Sequence, residues 1–106
     1  MTDMIGLGAE IDALAARIET RKAADPNSSY TAQLLNAGLP VVARKFGEEA
    51  VEAIVAALRK PDALADEAAD VVYHLLVLLA AAGLSPAEVA ARLRARASKS
   101  GLAEKA

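Results

Sequence analysis

At 106 residues and a formal charge of −2, the chain is one domain's worth of polypeptide, near the lower end of what buries a sufficient core unaided. Twelve basic residues are offset by fourteen acidic ones and form no long stripe, which gives no reason to expect a nucleic-acid partner. The absence of cysteine excludes disulfides, thiol chemistry and cysteine-held metals. A composition that is 55% hydrophobic and rich in Ala and Leu, with one Phe, two Tyr and no Trp, predicts an all-α fold.

The opening MTDMIGLGAEIDALAARIE carries acids and helical periodicity where a secretory signal would carry a basic region and then an apolar run, so it is expected to be mature protein. Leu7, Ile11, Leu14, Ala15 and Ile18 recur at helical spacing between Glu10, Asp12, Arg17 and Glu19, predicting an amphipathic first helix to about Lys22. ADPNSS then reads as a loop. Ser29 is placed to cap a short second helix and Gly38 to close it in the left-handed conformation. Pro40 suits the first turn of a third helix, whose apolar positions Val42, Phe46, Ala50, Ala53, Ile54, Ala57 and Leu58 run to about Arg59.

After the short turn RKPD, Asp62 is the expected cap of a fourth helix bearing Leu64, Ala68, Val71, Val72, Leu75, Leu76 and Leu79 and stopping at Gly83. Ser85, Pro86 and Glu88 then form a capping-box start with proline in the first helical position, opening a fifth helix with Val89 and Leu93 inward. These elements make one domain over residues 1–97, and the aperiodic SKSGLAEKA over 98–106 is expected to be a flexible tail. The longest apolar stretch, VVYHLLVLLAAAGL, is about fourteen residues and includes a histidine, whereas a bilayer span needs about twenty, so a cytoplasmic protein with no membrane partner is expected.

In KFGEEAVEAIV, residues 45–55, Glu48 and Glu52 stand four apart and Glu49 and Glu52 three apart, so like charges project from neighbouring turns of one helix side at a cost that something should offset. The fourth helix carries Glu67 and Asp70 three apart, with His74 four further along the same side. A short connection makes these helices antiparallel. Counting about 1.5 Å per residue from the turn, Glu49 and Glu52 lie roughly 15 and 10 Å back and Glu67 and Asp70 roughly 6 and 10 Å in, within about one turn of each other. If both acidic sides face one groove, four carboxylates converge as a hard divalent cation requires.

Spacing alone also permits a solvated acidic face, with Glu67 near a helix N-terminus and Arg44 and Lys45 four residues before Glu48 and Glu49. Against that face stand the weaker base-before-acid order and the distance of Asp70 from the helix start. His74 reads either as a satisfied, partly buried side chain or as a ligand or base, and Tyr73 as packing with its hydroxyl on a polar partner.

KFGEEAVE at 45–52, DEAADVVYHLLVLLAAAGLS at 66–85 and SYTAQLL at 29–35 together closely resemble the phosphoribosyl-ATP pyrophosphohydrolase family, within the MazG-like all-α nucleotide pyrophosphatases. The superfamily signature is carried by Glu48, Glu49, Glu52, Glu67 and Asp70. The resemblance runs from about residue 5 to residue 97, and the Ser-Tyr-Thr segment, the lysine and glycine before the glutamates and the Tyr-His after Asp70 narrow it.

It implies a helical bundle of about five helices completed by homodimerisation, with magnesium-dependent hydrolysis of phosphoribosyl-ATP to phosphoribosyl-AMP and pyrophosphate in histidine biosynthesis; manganese is an alternative ion. By position, Glu49, Glu52, Glu67 and Asp70 would hold the metal, and Glu48 would orient or deprotonate water. Arg44 and Lys45 would contact the triphosphate, Ser29, Tyr30 and Thr31 would offer hydroxyls to a phosphate or ribose, and His74 would lie at the substrate site. For Arg44 and Lys45 the other reading is pairing with Glu48 and Glu49, and for Ser29 it is a helix cap. Phe46 stands where the family more often has a smaller aliphatic residue. Many relatives carry a fused cyclohydrolase domain, so here the next step is expected of a separate protein. Two rival readings are a MazG-like housecleaning nucleoside triphosphate pyrophosphatase and a non-enzymatic helical dimerisation module.

Overall fold

In the computed structural model, which describes residues 5–98, the chain forms α1 (Leu7–Arg21), α2 (Tyr30–Ala37), α3 (Leu39–Arg59), α4 (Leu64–Ala81) and α5 (Pro86–Arg96). A single 3-10 turn, Pro61–Ala63, joins α3 to α4, and there is no strand among the described residues. The fold is all-α, as the composition predicts. The expected flexible tail falls, beyond Ser98, outside the described residues.

The helix boundaries follow from local chemistry. Ser29 accepts the Ala32 N–H at 3.1 Å, satisfying one of the donors that a helix start leaves without a partner. The ADPNSS loop is organised by Asp25, whose Oδ1 accepts the Asn27 N–H at 2.9 Å and whose carbonyl accepts the Ser28 hydroxyl at 3.0 Å. At the end of α4, Leu84 N–H donates to the Leu79 carbonyl (2.9 Å) and Gly83 N–H to Ala80 (3.1 Å), with Gly83 at φ +79°: a Schellman closure. The Glu88 carboxylate then reaches back to the Ser85 N–H at 2.9 Å and opens α5.

Two local expectations are corrected. Gly38 has φ +99° but ψ 163°, an extended mirror-image conformation and not the left-handed helical one, because α3 restarts at the next residue and the chain must turn sharply between two helices. Asp62 does not cap α4. It lies in the 3-10 turn, Ala63 occupies the cap position, and no side chain caps the helix start.

The core is built from Ile18 of α1, Leu34 of α2, Val42 of α3 and Leu76 and Val77 of α4, with Ile11, Leu14, Val72, Tyr73 and Leu79 packed against it. Helices α3 and α4 pack along each other more extensively than any other pair. Of the expected stripe on α3, Val42 is buried and Phe46, Ala50 and Ala53 are partly so, whereas Ile54, Ala57 and Leu58 face outward and Ala56 is buried in their place. The reason is that α3 is apolar over a wider arc than α4 can cover. Leu7, Leu64, Ala68 and Leu75 are likewise exposed, and Val89 and Leu93 are not inward because α5 leans only lightly on the bundle and buries none of its residues.

Val77 is fully buried, so Val77→Ala should cost about 2 kcal/mol and lower the midpoint of thermal unfolding by about 10 °C, whereas Leu7→Ala, on an exposed turn, should shift it by about 2 °C or less. Differential scanning calorimetry of both variants checks the assignment of the core.

Candidate metal centre

The groove between α3 and α4 is where the like charges meet. Glu49 and Glu52 lie on the α3 side turned toward α4, and Glu67 stands in the first turn of α4, just past the 3-10 turn that makes the two helices antiparallel. One carboxylate oxygen from each of Glu49, Glu52 and Glu67 lies within 4.8 Å of the other two. Octahedral magnesium, with ligands at about 2.1 Å, spaces neighbouring oxygens by about 3 Å and opposite ones by about 4.2 Å, so small side-chain rotations bring this set to the ion's own dimensions. Oxygen is also the donor that hard divalent cations select.

Electrostatically the triad lacks compensation. Among the described residues no basic side chain lies within ion-pairing distance of Glu49, Glu52 or Glu67, and Arg44 and Lys45 pair with Glu48 instead. Partial burial, then a hydrogen bond shared with Glu52 and the Glu52 charge, hold the Glu49 carboxyl above its ordinary value; Asp70 adds to the rise, and the charge of His74 opposes it. Asp70 is therefore near enough to act on Glu49, although it stands outside the closest three.

The remaining predicted residues form two flanking groups. Glu48 stands outside the closest three and accepts from Arg44 Nη1 at 3.0 Å, with Lys45 Nζ 3.6 Å from its other oxygen. On the other flank, His74 is buried, and its Nδ1 lies 2.8 Å from the Asp70 carbonyl. A carbonyl only accepts, so Nδ1 carries the proton and Nε2 is left for another partner. Tyr73 packs edge-on against the His74 ring with centroids 4.9 Å apart, and its hydroxyl is hydrogen-bonded to Thr31, the polar partner its sequence context requires. Burial pushes the Tyr73 phenol up, the Thr31 bond pulls it down, and Tyr30 adds to the rise. Tyr30 lies over Tyr73 at 6.4 Å and 22°, and the Ser29 oxygen accepts the α2 cap bond.

One participant was not singled out in the sequence. Lys60, with Val51, Val55, Ala56 and Ala63, lines a cleft of about 360 Å³ that has Glu52 and Glu67 in its wall. The only signal for it is position, at the junction between two acid-bearing helices.

A raised Glu49 value fixes the sign of a pH effect. In the folded metal-free protein the charged form is disfavoured, so its cost is full above the raised value and disappears as pH falls through it toward ordinary glutamate. Glu49→Gln should therefore raise the unfolding midpoint of the metal-free protein by about 1–3 °C at pH 7.5, the scale of one like-charge helix pair, and by nothing near pH 4. A gain independent of pH would show that charge is not the cause.

Residues 11–97 match the family described as phosphoribosyl-ATP pyrophosphohydrolase. The chain is 60% identical over 97 residues to a phosphoribosyl-ATP pyrophosphatase of Cereibacter sphaeroides, covering 91% of this chain and 94% of the relative. It is 58% identical to one of a Caulobacter species (91% and 90%) and 57% identical to one of Roseobacter denitrificans (90% and 91%). With the match spanning the acid-bearing helices and nearly the full length of these relatives, the chain belongs to the phosphoribosyl-ATP pyrophosphohydrolase family.

Proposed function

We propose that this chain hydrolyses the α–β phosphoanhydride of phosphoribosyl-ATP, giving phosphoribosyl-AMP and pyrophosphate in the second step of histidine biosynthesis, as a cytoplasmic, magnesium-dependent homodimer. The observation that carries the reading is the uncompensated triad of Glu49, Glu52 and Glu67 in a chain of this family. Those three and Asp70 would hold the ion; manganese, with similar oxygen preference, would substitute. Bound there, magnesium would neutralise phosphate oxygens and offset the repulsion among its ligands.

The other steps fall to side chains. Arg44 and Lys45 stand one turn before the triad, held by Glu48, and the oxygens of a triphosphate compete for the same guanidinium and ammonium groups. Drawing the cations onto substrate releases the Glu48 carboxylate to orient and deprotonate the attacking water. Ser29 uses its oxygen as an acceptor in the cap, which leaves its O–H free to donate to a phosphate or ribose, beside Thr31 and the exposed ring of Tyr30. His74 retains Nε2 for the same side of the groove.

The dimer is motivated by an apolar stripe on α3. Val51, Ile54, Val55 and Leu58 are 58%, 59%, 49% and 79% exposed, a continuous i, i+3, i+4, i+7 face that one copy of the chain leaves in water. Val51 and Val55 also line the cleft with Glu52 and Glu67, so a second copy seated on the stripe would border the acids. Among the described residues no single helix is long and apolar enough to cross a membrane.

Pyrophosphate release from phosphoribosyl-ATP should require magnesium or manganese, and Glu49→Gln and Asp70→Asn, folded by circular dichroism, should each lower kcat by about 100-fold or more. Activity confined to other nucleoside triphosphates would favour the housecleaning reading, and no cleavage with any metal would favour the dimerisation module. Sedimentation at micromolar concentration should give a dimer, and Leu58→Glu, which puts a charge on the stripe, should shift it to monomer; a wild-type monomer would remove the dimer.

A further inference from the structure

We propose that the ring of Tyr30 is a stacking platform for the adenine of the substrate and thereby a specificity-determining residue; this deepens the proposed function and rests on it for the identity of the nucleotide. The chain has only three aromatic residues and one histidine, and two of those aromatics gather with that histidine at a single point. Tyr73 and His74 are the inner members, partly buried and buried, and Tyr30 is the outer one, 51% exposed although it stacks on Tyr73 and meets the edge of His74 with centroids 6.4 Å apart. A tyrosine fixed on its inner side and open on its outer side offers a rigid π-face to solvent, and its loss of rotamer freedom is already met in the free protein.

The cluster also stands at the right place along the groove. Glu67, Asp70 and His74 rise from one face of α4, and seven residues from Glu67 to His74 make about 10 Å of helix. His74 stands one turn beyond Asp70 with its Nδ1 2.8 Å from the Asp70 carbonyl, which puts the aromatic end beside the acids. About 10 Å is also the order of the reach from a purine across a ribose to a polyphosphate. With phosphates at the acids and the Lys45 end of α3, the base falls at α2, where Tyr30 is the first residue of the helix and its position is fixed by the Ser29 cap and the Thr31 bond to Tyr73. Among the described residues, only Tyr30 combines an exposed ring with such a place.

The hydroxyl and the ring of Tyr30 make separable predictions. Calorimetric titration of AMP, and separately of ribose 5-phosphate, into the magnesium-loaded wild type, Tyr30→Phe and Tyr30→Leu compares them, beside KM and kcat for phosphoribosyl-ATP. The expected result is AMP affinity and KM within about twofold of wild type for Tyr30→Phe. For Tyr30→Leu, AMP affinity should fall and KM rise by about tenfold or more, the scale of one base-stacking contact, with ribose 5-phosphate binding and kcat little changed. Equal losses in the Phe and Leu variants would overturn the ring in favour of the hydroxyl. An unchanged Leu variant, or one that loses ribose 5-phosphate equally, would overturn base recognition altogether. A wild type that binds AMP through Tyr30 but does not cleave phosphoribosyl-ATP would sink the proposed function and leave this inference standing; cleavage with Tyr30-independent binding would do the reverse.

Discussion

Everything at the groove depends on apolar packing that forces like charges together. The α3–α4 pair is held by Val42, Ala53 and Ala56 on one helix and by Val72, Leu76 and Val77 on the other, and that contact fixes which α3 side faces α4. Glu49 lies on that side. Burial of alkyl groups contributes several kcal/mol across such an interface, against a few tenths for each like-charge pair it imposes, so the packing decides and the carboxylates follow. The result is a site preorganised at some expense in stability, which a cation would recover.

Around this strained centre the polar groups are distributed with different degrees of commitment. Glu48 is satisfied locally by Arg44 and Lys45, exposed contacts that a multiply charged ligand displaces at little cost. His74 and Tyr73 are committed inward, His74 to the Asp70 carbonyl within α4 and Tyr73 to Thr31, a bond that ties α2 to α4. One flank of the groove is therefore exchangeable and the other fixed, a division suited to gripping phosphates on one side and locating a ring on the other.

Much of this was legible in the sequence, for identifiable reasons. Helical period, the Ser29 and Ser85 starts and the Gly83 stop are local signals, and each holds in the fold. The antiparallel count across a short turn was enough to bring Glu49 and Glu52 level with Glu67. What escaped was rotation about the helix axis. The apolar arc of α3 is broad enough to accept a partner on either side, so composition could not say whether Ile54 and Leu58 or Ala56 would face α4, and the single chain answers Ala56. Asp62 failed as a cap for a related reason: the 3-10 turn consumes it before α4 begins. Asp70 and Lys60 show the limit at the site itself, since a residue count gives level but not the last few ångströms of side-chain reach.

The turn over Pro61–Ala63 has a consequence for how the molecule is made. Because the acids occupy residues 49–70 of one helical hairpin, closing the site needs only a short loop, whose entropy is small, and no pairing of distant segments. Contacts of such low sequence separation form early and quickly. The groove is thus expected to take shape with the hairpin, before α1 and α2 are seated, and a nascent chain would present its carboxylates to solvent cations while the rest of the core is still being assembled.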